Sequence, residues 1–217
     1  PPHDVLGQKI GQYLPKDDKL RAMMKKSYDI LSNHPINVER MKRGLNPANS
    51  LWFWGAGTRP MLTSFEEKTG HKGAMISAVD LLKGIAVGAG MKVIEVEGAN
   101  GGLDTNYEGK ADAAVDVLLN GGCDFAYIHL EAPDEMGHQG SYERKVKAIE
   151  NLDKRIIKRV VEKMEAAGED FRMLVLPDHP TPVAIRTHVS DPVPYMLYDS
   201  TDKKNNTWSY NEKDGEA

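Results

Sequence analysis

From Lys72 onward the chain alternates two hydrophobic periods, and this alternation restricts the fold more than any other feature of the sequence. Short apolar runs at 73–77, 92–96, 123–130 and 171–176, with a last one near 193–198, read as strands; 79–90, 108–120 and 141–167 carry apolar residues at helical spacing. Strands alternating with helices imply an α/β fold, a mainly parallel sheet with helices on both faces. In the helix from Ser141, Val146, Ile149, Leu152, Ile156, Val160 and Met164 form an apolar stripe, Lys147, Lys154 and Lys158 lie largely elsewhere, and Gly168 ends the helix.

Residues 1–70 read differently. Asp17 and Asp18 stand at an N-cap position ahead of a helix running to Asn33, and a shorter helix spans Asn37 to Arg43 and stops at Gly44. Asn49 to Trp54 reads as an apolar strand packed on both faces, running into the turn Gly55-Ala56-Gly57. The polar stretch from Thr201 to Ala217 lacks apolar periodicity and is expected to be loosely held.

Charge excludes some partners. Among 217 residues, 28 Lys+Arg against 32 Asp+Glu give a net charge of -4 with both signs interspersed, so there is no basic face for nucleic acid or an anionic membrane. The expected partner is a small molecule. Cys123, the single cysteine, excludes an internal disulfide and a thiolate-rich zinc site, and with the absence of an apolar run of membrane-spanning length it points to a cytoplasmic protein. The opening Pro1-Pro2-His3-Asp4, without an initiator Met, suggests a chain that begins inside something longer.

The chemistry gathers at strand ends. Strand 123–130 runs into Glu131-Ala-Pro-Asp134-Glu-Met-Gly-His138; in a helical turn, Asp134 and His138 share a face and can reach one cation. Strand 171–176 repeats the arrangement with Pro177-Asp178-His179-Pro180, and His188 follows in a loop restricted by prolines at 180, 182, 192 and 194. Open α/β sheets place their ligands beyond the carboxyl ends of strands. Mixed carboxylate and imidazole donors suit Zn, Mn, Co or Fe better than calcium, and two such sets together suit phosphoryl transfer. Taken singly, an Asp-x-x-x-His pair is also the mark of a solvated turn, and Asp178 could equally cap whatever follows its strand. His129, inside an apolar strand, reads as a satisfied core histidine; Gly98, Gly101 and Gly102 read as a turn.

Three segments, Ile128-His-Leu-Glu-Ala-Pro-Asp-Glu-Met-Gly-His138, Leu174-Val-Leu-Pro-Asp-His-Pro-Thr-Pro182 and Arg186-Thr-His-Val-Ser-Asp-Pro-Val-Pro194, resemble the archaeal-type cofactor-independent phosphoglycerate mutases of the alkaline-phosphatase superfamily. The likeness continues through Gly102-Leu-Asp-Thr-Asn-Tyr-Glu-Gly-Lys110, Ile76-Ser-Ala-Val-Asp-Leu-Leu-Lys-Gly84, Asn46-Pro-Ala-Asn49 and Trp54-Gly-Ala-Gly57. It implies an alkaline-phosphatase-like fold, incomplete in this chain, and two divalent ions: manganese first, with zinc, cobalt or magnesium as alternatives, and no bisphosphoglycerate. Asp134, His138 and His188 would hold one ion, and Asp178 and His179 the other.

The resemblance further implies interconversion of 3-phosphoglycerate and 2-phosphoglycerate, a step of glycolysis, through a phosphoserine whose Ser lies outside this chain. A chain lacking that Ser is expected to be inactive alone. Residues 1 to about 70 would end an inserted domain that grips the substrate, 71–217 would form the second portion of the metal-binding domain, and Arg59 would bind phosphate or carboxylate. Two other readings stay open: a related phosphotransferase or hydrolase, such as a homoserine kinase, and a non-catalytic binding module.

Overall fold

The computed structural model describes residues 2–5, 7–55, 57–58, 60–202 and 209–215, and the chain divides into two compact units, Pro1–Pro60 and Met61–Ala217. In the first, helix α1 (Asp18–Leu31) begins as its acidic cap predicts, with the Asp17 side chain accepting from the Leu20 N–H at 2.9 Å. Helix α2 (Pro35–Lys42) starts on a proline, whose missing N–H costs nothing in a first turn.

The expected strand at 49–54 does not form: among the described residues this stretch pairs with no other strand. Side chains hold the extended backbone instead. Asn37, 4% exposed, donates to the carbonyls of Leu31 and Ala48 and accepts from the Ala48 N–H, while Ser27 accepts from Leu51 N–H at 2.9 Å. Trp54 is exposed, so the aromatic run is not covered on both faces.

The second unit opens with an unexpected short helix, α3 (Phe65–Thr69), fixed by a reciprocal capping box between Ser64 and Glu67. The alternating pattern then yields β1 (Gly73–Ile76), α4 (Asp80–Gly88), β2 (Lys92–Val93), α5 (Tyr107–Leu119) and β3 (Phe125–Ile128). These strands form a parallel sheet in the order β2-β1-β3, with every residue of β1 buried, as befits a central strand. Beyond β3 come α6 (Ala132–His138), α7 (Tyr142–Leu152), a π turn (Asp153–Ile157), α8 (Lys158–Ala167), β4 (Arg172–Val175) and β5 (Met196–Asp199). Rather than extending the parallel order, β4 and β5 pair antiparallel with each other, Arg172 opposite Asp199, as a two-stranded sheet separate from β2-β1-β3 among the described residues. Of the tail, 203–208 and 216–217 lie outside the described residues; Ser209–Gly215 includes a short helical turn, α9 (Glu212–Gly215), and Tyr210 Oη donates to the Pro194 carbonyl at 3.3 Å.

The helix expected over 141–167 exists with a wide turn in the middle, and its buried face matches the stripe read in the sequence at Ile156, Val160 and Met164 but departs from it before the wide turn, where Val146 is exposed. Ile149 is 52% exposed, while Ala148, Ile156, Val160 and Met164 are buried. Two ordinary turns span about 7.2 residues, and a π turn takes up one more, so the eight positions from Ala148 to Ile156 return to one face. That face meets Tyr107, Ala111 and Val115 of α5 and Ala132 and Met136 of α6 in the main core.

Candidate metal centre

Helix α6 follows β3 after a three-residue link that includes His129, so the carboxyl end of the parallel sheet delivers it. Ala132, Met136 and Gly137 are buried on one side of α6, leaving Asp134 and His138, one turn apart, on another. The loop after β4 brings His179 and His188 to the same place. Asp134 Oδ2 lies 3.3 Å from His138 Nε2, Asp134 Oδ1 lies 3.3 Å from His188 Nε2, and the two imidazole nitrogens are 3.1 Å apart.

These separations, two of which end on different oxygens of the Asp134 carboxylate, are close to those between donors that share a cation. A tetrahedral ion holding nitrogen and oxygen donors at about 2.0–2.1 Å separates them by about 3.3–3.4 Å. Proton bookkeeping supports the same reading. His138 Nδ1 lies 2.9 Å from the Arg186 carbonyl, which can only accept, so the neutral ring carries its proton on Nδ1 and turns the Nε2 lone pair toward a carboxylate. Two acceptors face each other there, and a cation between them removes the repulsion. Arg186 has φ 61, in the left-handed region, and is the one non-glycine residue with positive φ among the described residues.

The second pair is more open. His179 Nε2 lies 3.4 Å from Asp178 Oδ2, with the Asp178 side chain 69% exposed. The two donor sets touch: the rings of His179 and His188 stand 3.8 Å apart, and His179 Nδ1 comes within 4.0 Å of Asp134 Oδ1. By proximity alone Asp134, His179 and His188 form a metal-sized group, with candidate ligand atoms all within 4.8 Å of one another. All five residues singled out in the sequence thus lie at one rim, and this proximity group cuts across the expected division into a set of three and a set of two. Arg59, the expected anion-binding residue, lies outside the described residues.

Several residues around the rim escaped the sequence reading. Thr181, 2% exposed, donates from Oγ1 to Asp134 Oδ1, and its carbonyl accepts from Lys145 Nζ at 2.6 Å. Lys110 is fully buried and donates to the His129 carbonyl at 3.1 Å; burial lowers its pKa, and the Glu131 charge opposes that shift. Glu131 is raised, chiefly by burial, and its carboxylate lies so close to Gly101 that a Cβ there would stand 2.6 Å from Oε2. Gly101 therefore permits a close approach, beyond making a turn. The signal for Lys110 was a charged residue on the otherwise apolar face shared by Tyr107, Ala111 and Ala114. His129 lies just past the end of β3 rather than inside a strand and is partly buried rather than in the core, with Nδ1 3.3 Å from Ser77 Oγ and its pKa lowered mainly by burial.

Comparison with known proteins points to a metalloenzyme. Residues 16–215 match the model of the Metalloenzyme superfamily. The chain is 53% identical over 206 residues to the 2,3-bisphosphoglycerate-independent phosphoglycerate mutase of Methanosarcina barkeri, covering 94% of this chain and 51% of that protein. It is 48% identical to a protein of Geobacter sulfurreducens described as a probable mutase of the same kind, again covering 51% of it. The chain thus spans about half the length of these curated relatives. Among solved structures, the PH0037 protein from Pyrococcus horikoshii matches 93% of this chain and 53% of its own with a TM-score of 0.75 at 31% identity. Among the described residues no helix is long and apolar enough to cross a membrane. A donor rim assembled from the segments that follow β3 and β4 and a match across nearly the whole chain lead to one conclusion: this chain belongs to the metalloenzyme superfamily, with its sequence likeness to the archaeal-type 2,3-bisphosphoglycerate-independent phosphoglycerate mutases.

Proposed function

We propose that this chain forms the greater part of the metal-binding half of a phosphoglycerate mutase that interconverts 3-phosphoglycerate and 2-phosphoglycerate without a bisphosphoglycerate cofactor. The observation that carries the proposal is the meeting of Asp134, His138 and His188 with Asp178 and His179 at one rim, in a chain half the length of relatives so named. In this reading Asp134, His138 and His188 hold one divalent ion and Asp178 and His179 contribute to a second, with manganese the first candidate. Such ions supply positive charge to a transferring phosphoryl group and to the oxygens it leaves and joins.

The chain's own residues then have separate tasks. Asp134 brings negative charge to the centre of the rim, balancing the cations and confining them. The Arg186 carbonyl keeps the proton of His138 on Nδ1 and its lone pair inward. Arg59 binds phosphate or carboxylate as a guanidinium fork. The nucleophilic Ser that takes the phosphoryl group and returns it to the neighbouring hydroxyl comes from outside this chain. Residues 1 to about 70 end the substrate-gripping domain and 71–217 belong to the metal-binding domain; the division between Pro60 and Met61 falls close to that junction.

The test is an assay of the full-length protein with manganese. Formation of 2-phosphoglycerate from 3-phosphoglycerate is expected. Phosphorylation of homoserine by ATP, with no mutase turnover, would replace the proposal with a kinase. This chain alone is expected to be inactive, and turnover by the purified chain would overturn the assignment of the nucleophile.

A further inference from the structure

We propose that the Thr181 hydroxyl is a positioning group that dictates which nitrogen of His179 is free to take a cation, and so keeps the two donor sets from merging. The inference rests on reading the rim as a metal centre, and it concerns a residue that need not touch the ion.

The argument follows one proton. Thr181 Oγ1 carries a single hydrogen and donates it to Asp134 Oδ1, because an ionised carboxylate has none to give. The same oxygen lies 3.3 Å from His179 Nδ1. Having spent its hydrogen, it can only accept there. The neutral His179 ring therefore holds its proton on Nδ1 and leaves the lone pair on Nε2, the nitrogen 3.4 Å from Asp178 Oδ2. His138 reaches the same tautomer by another route, through the Arg186 carbonyl 2.9 Å from its Nδ1.

The hydroxyl is held in place from several sides. Thr181 is 2% exposed, and Lys145 Nζ grips its carbonyl at 2.6 Å. Helix α6 passes so close that a Cβ on Gly137 would stand 2.4 Å from that carbonyl oxygen and 3.0 Å from the Thr181 methyl. Next door, the Pro180 carbonyl accepts from the Val189 N–H at 3.1 Å. A side chain packed this tightly loses little rotamer freedom by aiming its hydroxyl.

The consequence concerns a choice the rim has to make. His179 Nδ1 is 4.0 Å from Asp134 Oδ1, and Asp134, His179 and His188 lie close enough to share one ion. With the Thr181 hydroxyl in place, the nitrogen of His179 nearest Asp134 is protonated and unable to ligate. Remove the hydroxyl, and His179 can present Nδ1 to the ion of Asp134 and His188, drawing it away from Asp178.

The experiment uses the full-length protein, metal-free and labelled with 15N histidine, and compares wild type with Thr181→Val and Thr181→Ser. Long-range 1H–15N correlation spectra at pH 8 report each ring's tautomer without any reference to turnover. His179 is expected as the Nδ1–H form in wild type and in Thr181→Ser, and as a mixture or the Nε2–H form in Thr181→Val. Titration with Mn2+ should then show the weaker of two sites loosened about tenfold to a hundredfold in Thr181→Val, as for loss of other outer-shell partners. Thr181→Ser should restore it. An Nε2–H tautomer for His179 in wild type overturns the proposal, as does a Thr181→Val protein with the wild-type tautomer and isotherm. If Thr181→Val does not fold, the wild-type and Thr181→Ser spectra still decide. Absence of mutase turnover would sink the proposed function and leave this result standing.

Discussion

Asp134 and His138 sit one turn apart on a helix whose Ala132, Met136 and Gly137 are buried, whereas Asp178 projects from the turn after β4 with 69% of its side chain exposed. The first pair inherits its geometry from packing: α6 cannot shift without disturbing the core it shares with Tyr107 and Ala148. The second inherits its geometry from local hydrogen bonds, such as that from the His179 N–H to Asp178 Oδ1 at 3.1 Å. A donor set fixed by a core is pre-organised before any ion arrives; one fixed by a turn is organised in part by the ion itself.

The sharpest way to break this contrast is Asp134→Asn in the full-length protein. It removes the one carboxylate facing both His138 and His188, and Mn2+ affinity at that set is expected to fall by more than about a hundredfold, read by titration. Gly137→Ala should come next. Alanine is better than glycine in a helix by about 1 kcal/mol, yet here its Cβ would meet the Thr181 carbonyl at 2.4 Å, so a net loss of about 1–3 kcal/mol is expected in urea unfolding. If that variant is more stable than wild type, α6 is not clamped as described. Asp178→Asn, on the open side, should loosen Mn2+ by only about tenfold and leave the unfolding midpoint of the metal-free protein unchanged.

The smallest effect belongs to the ion pairs that join α5 to the π turn and α8, which involve none of the five donor residues. Hydrogen bonds from Arg155 and Arg159 hold Glu108 and Asp112 below the usual carboxylate range, Asp112 to about 2. A depressed carboxyl contributes stability in full above its unfolded pKa, near 4, and loses it as pH falls through the folded value, here toward 2. Both side chains are about two-fifths exposed, so screening holds the joint contribution to about 1 kcal/mol or less. Urea midpoints of metal-free protein between pH 5 and pH 2.5 should record this loss, and Arg159→Met should shrink it.

Much of the second unit was legible because its cause is local. A run such as Gly73–Ile76 followed by the apolar spacing of Asp80–Gly88 reads as strand and helix wherever it stands, and the Asp134-to-His138 interval becomes a shared face once a helix forms. What was hidden depends on partners distant in sequence. The apolar run at 49–54 has strand composition, but Asn37 and Ser27 bond its backbone region before another strand can. The antiparallel return of β5 follows a loop of 20 residues, 176–195, and no periodicity reports its direction. At the rim, the donors were visible as residue types, while Thr181, Lys145 and the Arg186 carbonyl act through hydrogen bonds spanning 36 to 48 positions. The capping box at Ser64 and Glu67, by contrast, is a local Ser-x-x-Glu motif with its cause in adjacent residues.

The π turn at Asp153–Ile157 bears on how this chain can change length. In an ordinary helix, gaining or losing one residue turns everything beyond it by about 100°, and the apolar stripe leaves the core. Here the wide turn already absorbs one extra residue, so deleting exposed Lys154 would let the segment relax to ordinary pitch while Ala148 and Ile156 still faced Tyr107 and Met136. The long helix thus contains a place where a single-residue deletion is close to silent, and relatives one residue shorter at this point would keep the same core.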